Sequence, residues 1–251
     1  MGNWKMHKTV ADARAFAESL GRRSKALTPA FDYAVCAPFT ALHVLRVMLP
    51  ASVKIGAQNV HFAQKGAYTG EISTSMLKEF GVAYVIIGHS ERRHIFGEPN
   101  EWIRDKARAV VNAGMVPVLC VGENGEEREA NQTFAVVDTQ VKSGLSALSA
   151  QEVVQSIIAY EPVWAIGSGK TATPEDAEQV ISHIRDVVTK EFGADAGSGI
   201  RILYGGSVKA ENIASFMRQE NIDGALVGGA SLEAESFAAM AENMDMGGSK
   251  E

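Results

Sequence analysis

The sequence predicts a closed (β/α)8 barrel, and three observations carry that expectation. Eight short apolar or β-branched runs end near Lys5, Ala37, Ala57, Gly88, Val121, Tyr160, Tyr204 and Val227, each followed by a polar or Gly-containing loop and then a helix-like stretch. Those ends lie about 32 residues apart on average, the size of one βα unit. No linker, low-complexity stretch or composition shift divides the 251 residues, so eight units of this total length favour one closed barrel over an open doubly wound sheet. A single domain over residues 1–245 is expected, with the polar, Gly-rich end MGGSKE from Met246 as a mobile tail.

Each element has its own justification. Only Met1 and Gly2 precede Asn3, whereas a strand commonly has about 5 or 6 residues, so the first strand is expected to be short. Neighbouring backbone groups of the second and eighth strands should then be partly unpaired, and a longer chain in which Met1 is internal would complete the ladder. Residues 10–20 and 102–113 show helical patterning. YVIIG is a strongly apolar strand that delivers His89 into the loop HSERR. Residues 156–159 read as a short buried strand, and Pro162 blocks helix formation directly after Glu161, leaving that carboxylate at a strand's C-terminal end. Gly167, Ser168 and Gly169 then give a loop tip of high backbone freedom. Thr173-Pro174-Glu175-Asp176 is a helix start, with Thr173 as N-cap, Pro174 at the first helical position and acids in the first turn, opening a helix over 174–192. YGGSV ends the seventh strand ahead of a helical stretch at 209–218, and LVGGASL ends the eighth.

Composition narrows the function. A hydrophobic fraction of 46% supports a sizeable core, and a formal net charge of −6 argues against a nucleic-acid binder. An anionic ligand must therefore be attracted locally, by single Lys residues and backbone donors. The two cysteines, Cys36 and Cys120, have no metal-type spacing, which favours a reduced cytoplasmic protein. No apolar run is long enough to span a membrane.

In a barrel all strand C-terminal ends converge on one face, so Asn3, Lys5, His89, Glu161, Ser207, Gly228 and Gly229 would surround a common pocket. Glu161 under the Gly-rich loop reads as a base beneath a lid. A short helix beyond His89 would disfavour a positive imidazole and keep it neutral, as a hydrogen-bond donor. The two Gly-rich turns after strands seven and eight suit a phosphate. His89 and His94 lack same-face helical spacing and HExxH is absent, so no metal site is expected. IGSGKT is not a nucleotide P-loop, because the motif's first Gly would fall at Trp164.

Taken together and in this order, GNWKM, IIGHSERR, YEPVWAIGSGKTATP, YGGSV and LVGGASL resemble the triosephosphate isomerase family over nearly the whole chain. The resemblance implies interconversion of dihydroxyacetone phosphate and D-glyceraldehyde 3-phosphate without metal or organic cofactor. It implies Glu161 as base, His89 and Lys5 as electrophiles, and Asn3 as an orienting group. Gly167, Ser207, Gly228 and Gly229 match phosphate-binding positions, and Tyr204 with Ser207 a latch for the closed lid. Glu91 resembles an acid paired with Lys5, while Ile166 and Leu226 would flank Glu161 on closure. The stretch QNVHFAQKGAYTGEIST, beginning at Gln58 and ending at Thr74, is similar to a loop that inserts into a partner subunit, which implies a homodimer. Ser168 stands where Thr is common, and the first strand lacks the family's apolar lead-in. Other phosphosugar barrel enzymes and non-catalytic barrels are the competing readings; neither requires Lys5, His89 and Glu161 together with this lid.

Overall fold

The strands β1 (Gly2–Asn3), β2 (Tyr33–Ala37), β3 (Val53–Ala57), β4 (Val82–Ile87), β5 (Val116–Val121), β6 (Ile157–Tyr160), β7 (Arg201–Tyr204) and β8 (Gly224–Ala225) are parallel and pair in chain order. The sheet closes on itself. Gly2 bridges Val227, the Asn3 N–H donates to the Val227 carbonyl at 2.7 Å, and the Val227 N–H donates to the Met1 carbonyl at 2.8 Å. This (β/α)8 barrel is seen in a computed structural model, which describes residues 1–166 and 171–245.

Nearly continuous Val, Ile, Leu and Ala runs form these strands because both faces of each are covered. Alternation divides the core into two layers. Ala34 and Cys36 point inward with Ile86, Val118, Cys120 and Leu203, while Val35 and Ala37 face the surrounding helices. The helix Pro174–Phe192 has the expected N-cap at Thr173, which also closes a capping box with Asp176, and it buries Ala177, Val180, Ile181, Ile184, Val187 and Val188 at helical spacing. The helices Val10–Arg22 and Asn100–Asn112 fall where patterning places them. Among the described residues no helix is long and apolar enough to cross a membrane.

One expectation needs correction. The stretch 209–218 is helical only over Ile213–Met217. The Asn212 side chain accepts the Lys209 N–H at 2.8 Å and donates to the Ser207 carbonyl at 3.1 Å, fixing a turn where a helix was expected. The first strand is short, as expected, and some of the groups beside it are paired. Besides the bonds to Val227, the Trp4 N–H donates to the Cys36 carbonyl at 3.0 Å, and the Met1 ammonium donates to the Ala225 carbonyl at 2.7 Å. A mostly apolar cavity of about 220 Å³ lies at the N-terminal end of the barrel, with Met1, Ala34, Leu203, Phe237, Met240 and Ala241 among its walls. Burial there lowers the Met1 ammonium pKa to about 6, while the nearby Cys36 raises it slightly. The proposed tail, 246–251, lies outside the described residues.

Candidate active site

At the other end of the barrel, Asn3, Lys5, His89, Glu161, Ile166, Ser207, Leu226, Gly228 and Gly229 line one cavity of about 340 Å³. They come from the ends of five strands, so parallel closure alone assembles them. Glu91 lines an adjoining hollow of about 400 Å³ together with Lys5 and His89. Tyr204 is buried at the end of β7. Gly167 and Ser168 lie outside the described residues.

His89 and Glu161 form the centre. Both are nearly inaccessible, at 4% and 3% exposure, and His89 Nε2 lies 2.9 Å from Glu161 Oε1. The other carboxylate oxygen accepts the Ser90 N–H at 3.0 Å. His89 caps the short helix Ser90–His94, and its Nδ1 accepts the Glu91 N–H at 3.2 Å. An Nδ1 that accepts leaves the ring proton on Nε2, facing the cavity.

Burial by itself would lower the His89 pKa. The Glu161 charge and hydrogen bond, with Glu91 behind them, outweigh burial and raise it. Burial likewise pushes Glu161 up, but His89, the Ser90 N–H and Lys5 together hold it below the usual carboxylate range. The docked carboxylate thus raises the His89 pKa, while the Glu91 N–H, which needs an unprotonated Nδ1, favours the expected neutral ring. When Glu161 turns to another partner, that raising cause leaves with it. Burial and the Glu91 N–H then favour the neutral ring.

Lys5 is held in an uncommon backbone conformation, with φ of 50°. Its N–H donates to Asn3 Oδ1 at 3.0 Å, and its carbonyl accepts the Gln58 side-chain amide at 2.9 Å. Nζ pairs with Glu91 Oε1 at 2.8 Å. Asn3 and Gln58 thus fix both ends of a strained residue, directing its ammonium into the pocket.

Gly228 and Gly229 lead into a 3₁₀ turn, Gly229–Ser231, whose first N–H groups the turn itself leaves unsatisfied. A Cβ on Gly229 would meet nothing, and one on Gly228 only Lys5 Cε at 3.6 Å, so crowding does not require glycine at either position. Open access to backbone N–H groups is what these two glycines contribute. Gly206 differs. A Cβ there would fall 2.1 Å from the Tyr204 hydroxyl, whose pKa is pushed up to about 12 by burial first and the Asp176 charge second, with the Ser207 N–H opposing.

Sequence reasoning missed several supports. A Cβ on Gly122 would lie 1.8 Å from the Glu161 carbonyl oxygen, and one on Gly205 would lie 2.9 Å from Glu161 Cγ. Both glycines let the chain pass tight against the carboxylate residue, and nothing short of the barrel pairing in sequence would have linked them to it. Glu123, fully buried after β5, accepts from the Tyr160 hydroxyl at 3.1 Å and the Trp164 indole at 2.9 Å, with Arg128 at 3.4 Å. It anchors the PVW segment leading away from Glu161. The only signal available was an acid following an apolar strand.

A family model described as Triosephosphate isomerase matches residues 1–244. The chain is 51% identical over 240 residues to the triosephosphate isomerase of Carboxydothermus hydrogenoformans, covering 95% of each chain. It is 48% identical over 237 residues to that of Alkaliphilus metalliredigens, covering 94% of this chain and 95% of the relative.

Proposed function

The chain belongs to the triosephosphate isomerase family and interconverts dihydroxyacetone phosphate and D-glyceraldehyde 3-phosphate in glycolysis, and from that premise we propose which of its residues carry the reaction. Glu161 removes a carbon-bound proton beside the substrate carbonyl and returns it to the neighbouring carbon. The Nε2–H of His89 and the Lys5 ammonium stabilise the oxygen charge of the enediolate between those steps. The observation that carries this reading is the 2.9 Å contact of His89 Nε2 with Glu161 Oε1 in a cavity shared with Lys5 and the Gly-rich turns.

To act, Glu161 releases the Ser90 N–H and moves toward the substrate carbon. Ser207, Gly228, Gly229 and, from the lid, Gly167 hold the phosphate, Asn3 orients the substrate, and Glu91 positions the Lys5 ammonium. Closure of residues 162–172 brings Ile166 and Leu226 to either side of the carboxylate and displaces water, which makes it more basic. Tyr204 and Ser207 latch the closed segment. The enediolate loses phosphate readily in water, so the dry, closed site also protects it, this family being itself a standard example of such a lid.

The protein acts as a cytoplasmic homodimer built on one domain, residues 1–245, with residues 58–74 inserting into the partner beside its active site. Exposed Met6, Tyr68, Ile95, Phe96 and Trp102 support the dimer, because large apolar side chains left open to solvent favour a covered face. Phe62 packs edge-on to Trp102, and Met6 and Phe96 border the same hollow as Lys5, so these last two adjoin the site. Solvent exchange tests the base assignment. With substrate in heavy water, the wild type should incorporate deuterium at carbon and Glu161→Gln should not. Incorporation at the wild-type rate in the variant would remove Glu161 from its role.

A further inference from the structure

We infer that Lys209 is a substrate-steering residue of the isomerase, the cation that draws the phosphate dianion toward the Gly-rich turns. The inference rests on the phosphate site proposed above. Lys209 lines the same cavity as Ser207, Gly228 and Gly229, on the side where the phosphate is held. The turn that replaces the expected helix puts it there. Asn212 Oδ1 accepts the Lys209 N–H at 2.8 Å while its amide donates to the Ser207 carbonyl at 3.1 Å, and Asn243 donates to the Ala210 carbonyl at 2.7 Å. Val208, next to it, is buried. The Lys209 backbone is thus pinned and its N–H is engaged, which leaves the ammonium as the group that can meet an anion.

Charge decides what that ammonium does. Lys5, the other lysine of the cavity, is paired with Glu91 at 2.8 Å, and Glu161 adds a second negative charge. Backbone N–H groups bring no net charge to offset them. In a chain of net charge −6, a dianion arriving at this mouth without Lys209 would meet a site that is itself negative while His89 is neutral. Among the described residues no ion pair or hydrogen bond holds the exposed Lys209 ammonium, so its charge is uncompensated. Such a charge acts over about a Debye length, roughly 30 Å at 0.01 M ionic strength and only about 3 Å at 1 M.

The experiment measures kcat and kcat/KM for D-glyceraldehyde 3-phosphate at about 0.01 M and about 1 M ionic strength. Lys209→Met should lower kcat/KM roughly 3- to 10-fold at low salt, leave kcat within about twofold, and lose most of its deficit at high salt. It should also weaken competitive inhibition by inorganic phosphate, whereas Lys209→Arg should keep the wild-type values. Lys190→Met removes an exposed charge in the last turn of the helix Pro174–Phe192, away from the cavity walls, and should change nothing. Unchanged kcat/KM in Lys209→Met at low salt, a deficit that salt does not relieve, or an equal deficit in Lys190→Met would overturn the steering role while the isomerase reading stands. A wild type that phosphate does not inhibit competitively would remove the phosphate site and the proposal with it.

Discussion

His89 Nε2 lies 2.9 Å from Glu161 Oε1 while His89 Nδ1 accepts the Glu91 N–H, so one imidazole is fixed from both sides by groups that follow β6 and β4, two strands apart. The backbone bond selects the Nε2–H tautomer, and the carboxylate occupies the direction in which that proton points. Substrate binding must replace the carboxylate at this proton with an oxygen of the substrate.

Glu161→Gln keeps the shape and hydrogen-bonding reach of the side chain but cannot take a proton. Turnover should fall by at least ~10²-fold, with inorganic phosphate still bound, since the Gly-rich turns are untouched. Near-normal turnover would sink the assignment of the base.

Gly205→Ala tests the packing behind that base. Its Cβ would stand 2.9 Å from Glu161 Cγ and 3.1 Å from the Tyr160 carbonyl, so the carboxylate must shift while the barrel keeps its strands. We expect a folded enzyme with kcat/KM lowered roughly 10- to 100-fold, the order expected when a reacting group is misplaced. Wild-type kinetics would show that Glu161 tolerates displacement.

Replacing residues 166–169 by a shorter connection removes Ile166 from the cavity wall and leaves the strands intact. The fold should survive, and methylglyoxal with free phosphate should appear during turnover, because the intermediate meets water. Turnover without extra methylglyoxal would mean that the segment protects nothing.

The Met1 amine makes a pH prediction. Its pKa falls from 8.0 unfolded to about 6 folded, so between pH 6 and 8 the unfolded chain binds more protons there, and stability rises with pH. The slope is at most ~1.4 kcal/mol per pH unit. The raised His89 pKa acts oppositely: its stabilisation is present below the unfolded value of 6.5 and is lost as pH rises through the folded one. The measurement is therefore a difference. Urea unfolding at pH 6 and pH 8 should show a more positive slope for this chain than for one with a residue added ahead of Met1. Equal slopes would refute a buried, depressed amine.

The face bordered by Ile95 and Phe96, 72% and 68% exposed, bears on assembly. Ile95→Asp with Phe96→Asp should shift sedimentation from dimer to monomer, since two charges cannot be buried there cheaply. An unchanged sedimentation coefficient would move the interface elsewhere.

The strand ends were legible in sequence because parallel, doubly covered strands are apolar runs with abrupt stops, as at Ala37, Val121 and Tyr160, where the observed strands also end. Thr173 and Pro174 announced their helix by local chemistry that tertiary contacts do not override. The 209–218 stretch was misread because Asn212 uses its side chain to satisfy backbone groups, and composition does not reveal such a bond. Glu161, His89 and Lys5 stood out as polar groups at apolar strand ends. Gly122, Gly205 and the Ser90 N–H did not, because their importance lies in how closely two distant backbones approach. The buried Glu123 looked like any acid until Tyr160 and Trp164 were seen to converge on it.

The closure of the barrel and the placement of Lys5 depend on the same few bonds. Gly2 and Asn3 are all the strand there is between β2 and Val227, and Lys5 follows two residues later, its strained backbone held by Asn3 and Gln58. A seam this narrow is where the sheet should part first on warming, at a free energy well below that of global unfolding. The enzyme would then fall silent while nearly all its core is still packed: its thermal limit as a catalyst is set by a two-residue strand, and heating followed by prompt cooling should restore activity that slow unfolding of the whole barrel would not.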